Sequence, residues 1–266
     1  MNALQSWLAL RGRGFSVRLN TLARVLQLTV TVLTAGFSRS SYNKATRLVI
    51  EKQIYFTAWQ ILPGFAAFSA LFSFLIIDIV ASAGREYGLY EYSLELIVRV
   101  LILEILPLMT ALFVALRTGA AINTEVALMR IQKELDALQR IGVDPMRLEL
   151  LPRVIGGTVS VAALTAVNVV VALWISHLVV IELNPWTLTA GDFTQMMGRV
   201  LDVATIAVLW LKTLAFGLAV TVIPIASGMA IPQKLFYAPI AVLRGMVRLF
   251  FALMLIETVA ITVLYI

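Results

Sequence analysis

The strongest constraint on this chain is a recurrence. Five apolar stretches, at residues 54–83, 94–118, 154–182, 200–227 and 240–265, are each long enough to cross a bilayer core. Such a crossing needs about 20 apolar residues in a helix. Lipid offers backbone N–H and C=O groups no partner, so each crossing must close its own hydrogen bonds as a helix or join a closed barrel. The stretches are continuously apolar rather than alternating, which leaves helices. Composition agrees: 61% of residues are hydrophobic and 14% charged, against about 25% charged in soluble domains. The expected fold is an all-α integral membrane protein with five transmembrane helices.

Other classes are closed off by residue types that are missing. Without cysteine the chain has no disulfide, thiolate nucleophile or Cys-based metal site. His177 is the single histidine, which argues against zinc. The net charge of +6 has a use other than nucleic acid: basic residues set membrane topology.

Residues 1–53 carry eight basic residues (Arg11, Arg13, Arg18, Arg24, Arg39, Lys44, Arg47 and Lys52) against one acid, Glu51. Leu19, Leu22, Leu26, Val30 and Leu33 recur there at helical spacing, as in an interfacial amphipathic helix. A secretory leader fits less well, because Gln27, Thr29, Thr31 and Thr34 interrupt the apolar part. The chain thus divides into an N-terminal region, 1–53, and a five-helix membrane domain, 54–266. Loops 84–93 and 183–199 lie on one side, and 119–153 and 228–239 on the other. Seventeen Lys and Arg fall on the side of the N-terminus and loop 119–153; the opposite side has Arg85, Arg99 and Arg199. The positive-inside rule then makes the N-terminus cytoplasmic and the C-terminus periplasmic.

In loop 119–153, Leu128, Ile131, Leu135 and Leu138 form one helical stripe, which predicts an amphipathic helix over about 123–141. Asn123 or Thr124 would cap it, Asp136 would pair with Arg140 four residues on, and Gly142 with Asp144–Pro145 would end it. By pattern alone this helix either docks a partner or packs on the protein's own surface.

Fixed spacings carry a resemblance. Glu104 and Pro107, Arg117-Thr118-Gly119-Ala120-Ala121, Thr124-Glu125, Met129-Arg130, Glu134-Leu135-Asp136-Ala137-Leu138, Gly142-Val143-Asp144-Pro145 and Pro152-Arg153 resemble the signature of MlaE-type permeases. These are the membrane subunits of lipid-transporting ABC systems associated with MCE proteins. The resemblance implies a bacterial inner-membrane permease working as a homodimer. It would have two cytoplasmic ABC ATPase subunits and a periplasmic MCE-domain protein; the resemblance also admits a small STAS-domain accessory protein. It implies that 123–141 is the coupling helix, with Glu125, Arg130, Lys133, Glu134, Asp136, Arg140 and Asp144 at or near the ATPase interface. No G-x-x-x-x-G-K-[ST] phosphate loop is present, so ATP and Mg would be used by the separate ATPase, and this chain is expected to be neither an enzyme nor a cofactor binder. Two departures mark a divergent member: Met229-Ala230-Ile231-Pro232-Gln233-Lys234 replaces a usually glycine-rich loop, and Leu103 stands where an Arg commonly precedes the Glu.

Glu104, Lys212 and Glu257 sit inside apolar spans, where an ionised group costs roughly 2.5–3.5 kcal/mol or more. Counting residues at 1.5 Å each puts all three roughly 14–18 Å from the outer surface, so a buried cluster is expected. The matching segments of MlaE-type permeases similarly carry a Glu, a Lys and an Asp. The cluster would serve as a structural staple, a switch that breaks and reforms, or a proton relay. Pro107 removes a helix hydrogen bond and frees the Leu103 carbonyl beside Glu104. From the family's outward pocket, Phe72, Leu75, Ile76, Ile79, Val80 and Tyr87 are candidate lipid-lining residues, ordinary core or lipid-facing positions being the alternative. Two other classes of function stay open: a membrane scaffold that moves no substrate, and an ion-coupled secondary transporter using the three buried charges.

Overall fold

The computed structural model describes residues 44–182, 190–232 and 238–265, with Gln27, Thr29, Val30, Thr31, Thr34, Lys234 and Phe236. Leu19, Leu22, Leu26 and Leu33 of the N-terminal stripe lie outside the described residues, as does Gln233 of the last loop.

Among the described residues the elements are helical. In chain order they are α1 (Thr46–Glu86), α2 (Tyr92–Ile131), α3 (Glu134–Arg140), α4 (Met146–Glu182), α5 (Ala190–Val200), α6 (Val203–Met229) and α7 (Ala238–Tyr265). Five of these, α1, α2, α4, α6 and α7, are long and apolar enough to cross a membrane. The chain is an all-α integral membrane protein.

Three helices, α1, α2 and α4, overrun the expected spans by two turns or more, α4 starting at Met146 rather than 154. α1 starts at Thr46 rather than 54, because the polar segment before the span is itself helical, with Arg47 and Glu51 paired at 3.1 Å one turn apart. α2 runs past 118 to Ile131. Gly119 does not interrupt it: the space a side chain would fill is taken by the Val220 carbonyl, 3.3 Å from an ideal Cβ. The expected cap at Asn123 or Thr124 is therefore absent. Asn123 is instead a buried residue in mid-helix, its Nδ2 donating to the Ala241 carbonyl of α7 at 3.4 Å. The segment expected as loop 183–199 contains α5, whose Phe193 is buried and meets the His177 ring edge-on at 5.3 Å.

Turn chemistry sets the helix ends. Gly88, at φ +69°, follows α1, and the Leu89 N–H returns to the Gly84 carbonyl at 2.8 Å. Gly142, at φ +81°, ends α3 in the same way, with Val143 N–H on Leu138 O at 3.0 Å. Asp144 Oδ1 then accepts from Met146 N–H at 3.0 Å, and Pro145 stands just before the start of α4. Asp202 caps α6 by accepting from Thr205 N–H at 2.9 Å.

α6 lies against α2, α4 and α7 and holds the bundle together. Its buried positions Thr213, Phe216, Gly217, Val220, Thr221 and Pro224 recur at helical spacing. Small residues bring α4 and α6 very close: an ideal Cβ at Gly217 would stand 2.7 Å from Thr158 Cα, and one at Gly157 2.3 Å from Thr221 Cγ2. Between membrane helices, where burial in lipid gives little drive, such close packing is the main source of association. Inside the bundle Asn168 Nδ2 of α4 donates to Thr110 Oγ1 of α2 at 2.8 Å.

Candidate functional site

The structure brings Glu104 of α2, Lys212 of α6 and Glu257 of α7 together. They are 9%, 4% and 8% exposed. Lys212 Nζ donates to Glu104 Oε2 and lies 3.3 Å from Glu257 Oε2. Its further contact is the Leu103 carbonyl, at 2.7 Å. That acceptor is a consequence of sequence: Pro107 has no N–H to return to Leu103, and its ring crowds that carbonyl. The helix answers by widening, with π-type turns from Ile97 to Ile105. An ammonium has three protons, and here it finds three acceptors on two neighbouring helices.

The cluster lies toward the end of the bundle formed by Glu86, Tyr92 and Tyr265. On the same helix, nearer that end, Arg99 Nε donates to Glu95 Oε1 at 2.7 Å. This pair is not among the expected site residues, although its four-residue spacing is a signal in the sequence. At the same end the Asp202 carboxyl is held below the usual carboxylate range by hydrogen bonds from the Thr205 side chain and backbone.

The opposite end is charged. The single stripe expected over 123–141 is divided: α2 ends at Ile131, Lys133 takes a left-handed conformation at φ 60°, and α3 begins at Glu134. A side chain larger than glycine rarely adopts that conformation, so no residue type in the sequence announces the break. The break changes the partner of Asp136. It pairs with Arg130 Nη1 at 3.2 Å, not with Arg140, which is exposed in the last turn of α3. Six residues apart, Arg130 and Asp136 would point away from each other on one continuous helix; the bend lets them meet. Leu135 turns inward and is buried, while Lys133, Glu134 and Arg140 remain exposed. Asp144 pairs with Arg147 at 3.5 Å.

Glu125 is fixed differently. Arg153, buried at the start of α4, reaches Glu125 at 3.3 Å and Glu149 at 3.2 Å. Three charges thus tie the end of α2 to the start of α4. Glu149 was not singled out from the sequence, although it stands four residues before Arg153.

The candidate lipid-lining residues divide between two faces of α1. Phe72, Ile76 and Val80 pack on the core around Ile77, Leu101 and Ile175. Leu75, Ile79 and Tyr87 are exposed. Spacing explains the division: 72, 76 and 80 share one face of a helix, 75 and 79 the next. Among the described residues no three carboxylate or imidazole side chains converge as a metal site requires.

Five apolar helices of spanning length, a buried ion cluster and a bent charged segment at one end define the class as multi-pass membrane proteins. Similarity to known proteins narrows the class. Residues 50–263 match the family described as Permease MlaE, and this chain belongs to that family. It is 29% identical over 165 residues to the intermembrane phospholipid transport system permease protein MlaE of Haemophilus influenzae, covering 59% of this chain and 62% of that protein. The match therefore spans less than two thirds of the Haemophilus protein. A probable ABC transporter permease of Rickettsia typhi is 28% identical over 182 residues, 68% of this chain and 69% of its own length. One from Synechocystis is 26% identical over 126 residues, 47% of each chain.

Proposed function

We propose that this chain is the permease subunit of an ABC-type transporter that moves phospholipid, or a lipid of similar chemistry, out of a bacterial inner membrane or into it. The observation that carries the reading is the family match over 50–263, which includes Glu104, Lys212, Glu257 and the whole bent segment. The Haemophilus relative is named for intermembrane phospholipid transport. Two copies of this chain would work with two cytoplasmic ATPase subunits and an MCE-domain protein on the periplasmic face.

The asymmetry of Lys and Arg supports a cytoplasmic N-terminus and a cytoplasmic α3, with the Tyr265 end of α7 in the periplasm. In this orientation the bend and α3 offer an ATPase the exposed charges Lys133, Glu134 and Arg140. The Arg130–Asp136 and Arg153–Glu125–Glu149 pairs transmit a push on α3 to α2 and α4. α2 is continuous from this end to Glu104. A rotation of α2 would change the acceptors around Lys212, and with them the packing of α2, α6 and α7.

The test is purification of the full chain in mild detergent from cells that express the neighbouring transport components. The expected result is a complex containing a nucleotide-binding subunit and bound phospholipid. Recovery of the chain with neither would overturn the reading. Asp136→Arg is expected to weaken ATPase recovery several-fold.

A further inference from the structure

One feature at the charged end belongs neither to the ion cluster nor to the exposed face of α3. A cavity of about 670 Å³ opens there between α1, α2 and α4, and its walls include Lys52, Gln53, Phe56, Thr57, Arg117 and Arg153. Its charges are unequally matched. Both carboxylates on its wall, Glu125 and Glu149, are engaged by Arg153. Arg117 donates instead to neutral acceptors, the Phe56 carbonyl at 2.6 Å and Gln60 Oε1 at 3.2 Å. Neither Lys52 nor Arg117 has a carboxylate within ion-pair distance among the described residues. A guanidinium has five N–H donors, so Arg117 keeps donors for a further acceptor.

Depth identifies the acceptor. Tyr55, Phe56 and Trp59 are exposed on α1 beside the cavity, Trp59 at 68%. Exposed aromatic rings followed by an uninterrupted apolar span are the mark of the headgroup level of a bilayer. On α2, Arg117 stands where the apolar part of the crossing gives way to charged sequence. The opening therefore faces lipid headgroups, with Val49, Phe56 and Ile122 supplying apolar wall for the first part of an acyl chain.

We infer that this cavity binds the phosphate-bearing headgroup of an anionic glycerophospholipid from the leaflet at the charged end, with Lys52 and Arg117 as its cationic contacts. Phosphate suits this pair: Arg117 supplies directed N–H donors and Lys52 a compact charge. By the charge asymmetry the leaflet is the cytoplasmic one. The site rests on the membrane-spanning fold and not on transport, so it stands or falls separately from the permease reading.

The test is photolabelling of the full chain in nanodiscs of mixed phosphatidylglycerol and phosphatidylcholine, with a photoactivatable probe of each lipid and mapping of the labelled peptides. The phosphatidylglycerol probe is expected to label peptides spanning 49–57 and 117–125 in preference to the phosphatidylcholine probe. Each basic residue near the surface favours an anionic lipid by roughly fivefold, so Lys52→Glu should remove at least that factor, while Lys52→Arg should keep it. Lys52 is exposed, which makes its variants safe for folding; Arg117→Gln, with its helix contacts, is the companion variant, checked by gel filtration. Equal labelling by the two probes, or labelling indifferent to Lys52→Glu, would overturn the inference. Loss of labelling in excess inorganic phosphate would overturn it too, by making the site one for a soluble anion.

Discussion

Removing the charge of Lys212 tests the cluster most sharply. In Lys212→Met the side chain keeps most of its length and stays unbranched, but Glu104, Glu257 and the Leu103 carbonyl lose their common donor. Breaking a buried ion pair by deleting one partner costs about 3–5 kcal/mol, because the remaining charge is left uncompensated. The orphaned carbonyl accounts for about 1–3 kcal/mol of desolvation. The triple variant Glu104→Gln, Lys212→Met, Glu257→Gln removes all three charges together, so it should recover most of the loss and retain only the carbonyl's share. Pro107→Ala, which returns an N–H to α2 four residues after Leu103, should rescue part of that remainder. The assay is equilibrium unfolding in detergent or bicelles, run as a mutant cycle. A single variant as stable as the parent, or a triple variant less stable than the single, would refute an account in which Lys212 neutralises both acids and caps the carbonyl.

Packing and capping give further expectations. Gly217→Ala places a methyl 2.7 Å from Thr158 Cα and should cost about 1–3 kcal/mol by forcing α4 and α6 apart; thermal unfolding checks it. Asp202 has a lowered carboxyl pKa. The stability it contributes is therefore present above the ordinary carboxylate range and lost as pH falls through its folded value. Asp202→Asn should keep the cap of α6 and flatten this acid-side dependence, measured as unfolding temperature against pH. Exchanging Arg130 and Asp136 should preserve the bend between α2 and α3 better than either single reversal, read from ATPase co-purification.

Much of the fold is legible in sequence, since a bilayer imposes one length and one secondary structure on each crossing. Glu104, Lys212 and Glu257 are conspicuous for the same reason: an isolated charge in an apolar run needs a partner, and shared depth names it. The rest depends on geometry that spacing does not encode. Nothing in Gln132–Lys133 announces a left-handed residue, so the stripe Leu128, Ile131, Leu135 and Leu138 reads as one helix, and Asp136 is assigned the wrong partner. α5 is missed because an amphipathic helix beside a span has the composition of a loop. The cavity beside Arg117 joins residues from three helices, each unremarkable in its own segment. Membership in a family carries Glu104 and the bent segment together, but a lipid wall has no motif; the candidates on α1 accordingly divide between core and surface.

The central claim is that this chain passes lipid under the control of ATP hydrolysed elsewhere. Its most direct test reconstitutes the chain with the proposed ATPase in liposomes and follows a fluorescent phospholipid moving between the membrane and the proposed MCE-domain acceptor. Transfer that requires ATP, and that stops with a hydrolysis-deficient ATPase, is the predicted result. Transfer at the same rate without ATP, or none with every component present, would contradict it.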